Sequence, residues 1–227
     1  MVSPAQRLCG AGSEVVRRRP RNTVFVSTNR LEAFSDGVFA VAITLLVLDL
    51  KVPSVGGRHS LAHQLGAQWP NYVAFVVSFL TIGIIWINHH AMMSRLAAAD
   101  RAILGLNLIL LMTVAALPFA TSLMAAYLRQ SQGEHFAAAI YSGAFLMMSI
   151  AFIATNQHIM FAKAHMLSRE LSRPERRGIV LRGATGLVPY ALATALAPLS
   201  PYVTLGICGA VAVYYALPIG SGERRAA

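Results

Sequence analysis

The stretch RLEAFSDGVFAVAITLLVLDL, residues 30–50, decides the fold. From residue 38 to residue 48 it is apolar but for Thr44. A membrane-spanning helix needs about 20 mostly apolar residues, and this stretch has that length. Yet its first turns carry Arg30, Glu32, Ser35 and Asp36. A carboxylate near hydrocarbon costs about 2.5–3.5 kcal/mol even on the mildest insertion scale, and such groups are usually paired. Asp36 therefore either caps the helix in the headgroup layer or accepts hydrogen bonds from a neighbouring element.

The rest of the chain supports a membrane environment. Of its 227 residues 56% are hydrophobic and 12% charged, with a mean hydropathy of +0.57. Soluble domains carry about 25% charged residues. Five further stretches have the length and character of spans: 71–93, 102–128, 136–161, 178–199 and 202–217. The fold class is thus an all-α integral membrane protein with six transmembrane helices. Residues 58–69 read as a short interfacial helix ending at Pro70, with Leu61, Leu65 and Trp69 on one face. Residues 1–29 form a basic, disordered cytoplasmic tail, 30–218 the membrane domain, and 219–227 a short C-terminal tail.

A net charge of +10 raises the question of nucleic acid. The basic residues lie in short runs between apolar spans, without interleaved aromatics to stack bases, so topology explains them better. With both termini in the cytoplasm, all of the 19 Lys and Arg except Lys51, Arg58 and Arg129 face inside. That orientation needs an even number of spans; the expected location is the plasma membrane, crossed several times. The partner to expect is the lipid bilayer, with no nucleic acid and no identifiable protein partner. TVFVSTN at 23–29 is too short for the apolar core of a signal peptide. Cys9 and Cys208 stand near opposite ends and suggest neither a disulfide framework nor a zinc site.

On a helical wheel of about 100° per residue, Arg30, Phe34, Gly37, Thr44, Leu45 and Leu48 group around Val41. Glu32, Asp36, Phe39, Ile43 and Leu46 take the opposite side. Asp36 then points toward a neighbour, and the second span offers Trp86, Asn88, His89 and His90, the third Asn107. Adjacent histidines point about 100° apart and do not meet one ion, so no metal or other cofactor is expected. The chain carries no HExxH, GxSxG or P-loop, and no second carboxylate beside Asp36, so it does not read as an enzyme.

RLEAFSDGVFAVAITLLVLDLKVP resembles the first-helix signature of the transmembrane protein 175 family, the endolysosomal potassium channels and their shorter prokaryotic relatives. The signature is an arginine, three residues, then Phe-Ser-Asp: here Arg30, Phe34, Ser35 and Asp36. WINHH and NLILLMTVAALPFATSL resemble family patterns less sharply. The resemblance implies a homotetramer in which four copies of the first helix line a central pore, with potassium as the permeant ion. It maps the hydrophobic constriction and hydroxyl layer onto Val41, Thr44, Leu45 and Leu48. Relatives often carry a bulkier isoleucine or leucine at Val41, so valine widens that level. The structural polar network it implies comprises Arg30, Phe34, Ser35, Asp36, Trp86, His90 and Asn107.

The absence of a TVGYG-type loop means that selectivity must come from side chains. A ring of leucines only gates by dewetting or forces partial loss of hydration water. Thr44 hydroxyls supply oxygens for weak coordination. A modest preference for potassium follows, because the larger ion gives up water at lower cost. Two other readings stand beside this one. A proton-coupled secondary transporter would use Asp36 and His90 as a titrating pair. A scaffold without a pathway would use the first-helix stripe as ordinary core.

Overall fold

The computed structural model describes residues 28–217 except 54 and 56–58. The two tails therefore lie outside the described residues, apart from Thr28 and Asn29, which open the first helix. Arg58 and Cys9 fall outside as well.

The described chain is all helical. Helix α1 runs Thr28–Leu45 and tightens into a 3₁₀ turn over Leu46–Asp49. A short α2, Leu61–Ala67, is capped by Ser60, whose Oγ accepts from the His63 N–H at 3.3 Å. The long helices α3 (Trp69–Met93), α4 (Arg101–Tyr127) and α5 (Glu134–Gln157) follow. Helix α5 ends in a π-helical turn, His158–Ala162. The last elements are α6 (Arg173–Ala184), α7 (Leu187–Leu196) and α8 (Pro201–Ala216).

Local chemistry explains these limits. Asp100 caps α4 by accepting from the Ile103 N–H at 3.0 Å. Ser172 and Glu175 form a capping box at α6, and Ser200 with Pro201 opens α8. Gly133 takes φ 86° before α5; a side chain there would also meet the Tyr127 ring at 3.0 Å.

Among the described residues, five stretches are long and apolar enough to cross a membrane: Thr28–Asp49, Trp69–Met93, Arg101–Tyr127, Glu134–Ala162 and Arg173–Leu196. The expected sixth, Pro201–Ala216, is a shorter apolar helix. Pro70 does not end the interfacial helix as expected; it sits in the first turn of α3, where its missing N–H is no loss. The fifth span is two helices. Pro189 leaves the Thr185 carbonyl without its helical donor, and the turn opens at Thr185 and Gly186. Both residues keep helical dihedrals, so the span kinks and continues in the same sense.

Helix α5 sits centrally, against α4, α6, α7 and α8. The middle of the bundle holds a polar knot in which Ser78 Oγ lies 2.7 Å from Thr121 Oγ1 and 3.1 Å from Tyr141 Oη. Helix α1 stands at the edge, packed on α3 and α4. At one end of the bundle, loop 94–100 pairs with loop 163–172. Ala97 N donates to Met166 O and Ser168 N to Arg95 O, both at 2.8 Å. Lys163 meets Asp100 at 2.7 Å in the same place.

Candidate functional site

Helix α1 divides into two faces. Leu31, Ser35, Phe39, Ala42 and Leu46 are buried against α3 and α4. The other face is open: Val41 is 57% exposed, Leu45 43% and Leu48 70%, with Phe34 and Thr44 beside them. Phe34, Gly37, Val38, Val41 and Leu45 line an apolar groove of about 530 Å³ along it. So the four residues expected at a constriction share one unpacked face of one helix, and Leu46, one position from Leu45, is fully buried.

Thr44 is the polar member of that face. Its Oγ1 donates to its own helix, within 3.0 Å of Ala40 O and 2.9 Å of Val41 O. The hydroxyl hydrogen is thereby turned to the backbone, and the oxygen offers lone pairs to whatever occupies the open side.

Behind this face lies a polar network in two parts. The buried part joins α1, α4 and α3: Asn107 Nδ2 donates to Ser35 Oγ at 3.0 Å, and Asn107 Oδ1 lies 2.7 Å from His89 Nε2. Ser35 Oγ in turn donates to Leu31 O at 2.8 Å. The second part is more open. Trp86 Nε1 donates to Asp36 Oδ1 at 2.8 Å, and His90 Nδ1 meets Glu32 Oε1 at 2.6 Å.

These pairings differ from the sequence expectation in four ways. His90 partners Glu32, one turn before Asp36, so the expected titrating pair of Asp36 and His90 is not formed. The buried histidine is His89, which the expected network omitted; about 100° of helix rotation gives the two neighbours different partners. Asn88 bonds its own helix at Ile84 O. Arg30 and Phe34 are exposed on α1, and among the described residues neither side chain joins this network by a hydrogen bond or ion pair.

Sequence reasoning also missed the far end of α1. Ser122 Oγ donates to Asp49 Oδ1 at 2.5 Å, and Asn71 Nδ2 donates to Asp49 O at 2.9 Å. A carboxylate at the close of an apolar run is the signal that pointed there. Among the described residues no three His, Cys, Asp or Glu come together as a metal site would require.

Residues 30–118 match the family model described as the endosomal/lysosomal potassium channel TMEM175. The chain is 48% identical to a potassium channel of Streptomyces collinus over 83% of its own length and 91% of that protein. It is 40% identical to a potassium channel of Chamaesiphon minutus, over 84% of this chain and 94% of that one. Its fold superposes with a TM-score of 0.73 on the crystal structure of a lysosomal potassium-selective channel TMEM175 homolog from Chamaesiphon minutus, at 39% identity, covering 83% of this chain and 96% of that one.

Proposed function

Because this chain belongs to the family of the endosomal/lysosomal potassium channel TMEM175, we propose that it conducts potassium passively through a pore lined by α1. The observation that carries this reading is the open stripe of Val41, Thr44, Leu45 and Leu48. Leu31, Phe39 and Leu46 already bury one apolar face of this helix in the bundle, so Val41, Leu45 and Leu48 form a second apolar face that the bundle leaves open. One such helix cannot enclose a path, so four chains assemble around a common axis with α1 innermost.

Around that axis Val41, Leu45 and Leu48 form the narrow apolar section, where ions shed part of their hydration. Thr44 adds a ring of oxygens whose hydrogens face away from the axis, a layer that suits cations and gives a modest potassium preference. Ser35, Asp36, Trp86, His90 and Asn107, joined by His89 and Glu32, hold the start of α1 in place, while Arg30 and Phe34 stand open beside them.

Residues 30–218 make up this channel domain. In it α8, about 24 Å long at helical rise, completes six crossings beside the five longer spans. An even number of crossings and the distribution of Lys and Arg support a reading with both termini in the cytoplasm, and we assign the channel to the plasma membrane.

The test is the reversal potential of purified protein in planar bilayers under opposed potassium and sodium gradients. A steady current reversing toward the potassium equilibrium potential is expected. Saturable flux that demands a second substrate, or no current, would overturn the reading.

A further inference from the structure

On the part of the bundle that α1 does not reach, α3, α5 and α6 enclose a crevice. It consists of two hollows that share Asn88, Phe152, Arg182 and Gly183. The one nearer the loop end, about 170 Å³, adds Arg95 and Asn156. Neither arginine meets a carboxylate among the described residues. Burial pushes the Arg95 pKa down, and the positive Arg182 nearby adds to the effect. Arg95 also donates to Ala91 O, leaving the rest of its guanidinium open. Two cations thus face one hollow without a counter-charge.

Two further features define what fits there. Asn156 is only 3% exposed, lines the hollow, and its Oδ1 has no hydrogen-bond partner. A buried acceptor of this kind is costly to leave unmet. Tyr215, whose hydroxyl bonds Thr185, forms part of the wall. Beyond it an apolar groove of about 340 Å³ runs between α7 and α8, lined by Pro189, Ile207, Val211 and Tyr214. Pro189 lies in α7, past Arg182 of α6, and about 12 Å of helix separates Tyr215 from Ile207 on α8. The groove therefore leads from the cationic hollow toward the bundle's middle.

We propose that this crevice binds an anionic phospholipid with a hydroxylated headgroup, of the phosphatidylglycerol class. The phosphodiester lies between Arg95 and Arg182, a headgroup hydroxyl donates to Asn156 Oδ1, and an acyl chain follows the groove past Tyr215. Guanidinium groups suit phosphate because their N–H forks match its oxygens. Phosphatidic acid would satisfy the arginines but bring no hydroxylated headgroup to Asn156. Free phosphate would leave the groove empty. Phosphatidylcholine would bring a third cation to a site that already holds two. The site requires only that the chain be embedded in a bilayer, and lipid retention is measured separately from ion current.

The experiment uses the full chain in mild detergent with added phosphatidylglycerol, phosphatidic acid, phosphatidylcholine or inorganic phosphate, read by native mass spectrometry and thermal unfolding. Phosphatidylglycerol should be retained at least tenfold better than phosphatidylcholine. Arg182→Gln, at an exposed position that tolerates change, should reduce that retention about tenfold. Arg95→Gln should do the same, and if it does not fold, Arg182→Gln decides alone. Asn156→Ala should bring phosphatidylglycerol down to the level of phosphatidic acid and leave phosphatidic acid unchanged. Arg173→Gln, elsewhere on α6, should retain lipid as the parent does. Equal retention of phosphatidylglycerol and phosphatidylcholine, or an unaltered Arg182→Gln, would overturn the site. So would equal loss in Arg173→Gln, which would mean diffuse attraction to basic loops. Stabilisation by inorganic phosphate equal to that by lipid would reduce it to an anion site.

Discussion

Asn107 is the residue at which three helices meet. It donates to Ser35 on α1 and faces His89 on α3. Replacing it with alanine leaves the buried His89 Nε2 unmatched, at about 1–3 kcal/mol, and Ser35 with only its bond to Leu31 O. Asn107→Ala should therefore lower the melting temperature of the purified protein markedly. An unchanged melting temperature would mean that water takes over both bonds. The stripe on α1 offers an internal comparison. Leu46 is fully buried, so Leu46→Ala should cost about 2–5 kcal/mol of stability. Leu48 is 70% exposed, so Leu48→Ala should melt near the parent and raise single-channel conductance. Early melting in both, with unaltered current, would make the stripe ordinary packing. The two sides of α1 were legible in the sequence because the helix is apolar on a regular wheel and polar only in its first turns. The partner histidine was not. Helix α3 is apolar nearly all round, so nothing in its sequence says which face meets α4 and which meets α1.

Among the elements, the spans were the easiest to read, since runs of about 20 apolar residues have few other uses. Their interruptions were harder, and each involves a proline. Pro70 reads equally well as a stop for one helix or the start of the next, because both uses exploit its missing N–H. Pro189 signals a kink, but whether the span splits depends on the packing of α6 and α7 on α5, which lies outside local sequence. The clasp between the two loops was also invisible, since it joins positions far apart in the chain. Asp100 anchors that clasp. Burial works against its charge, yet the Lys163 ammonium at 2.7 Å and the Ile103 N–H hold its carboxyl below the ordinary aspartate value. The stabilisation is complete above the ordinary pKa of about 3.9 and is lost as pH falls through the lowered folded value. Asp100→Asn keeps a capping side chain but removes the charge. Acidification from about pH 5 to pH 2 should therefore lower the parent's melting temperature more than the variant's. Parallel declines would show that the ion pair contributes nothing.

For the whole molecule, the prediction is assembly. Light scattering of the detergent-solubilised protein should give four chains per particle. A conducting monomer or dimer would remove the proposed axis. Assembly was not readable from the wheel, because an apolar stripe looks the same whether it faces a core or a copy of itself. The two attachments of α1 to α4 have a mechanical meaning. Ser35 is tied to Asn107 at one end and Asp49 to Ser122 at the other, with about 21 Å of helix between them. A beam clamped at both ends neither slides nor swivels on its support. It bows, and the greatest deflection comes at midspan, where Val41 and Thr44 stand. If the bore changes width, either that short central stretch flexes while its ends stay fixed, or α1 and α4 travel together as one stiff pair.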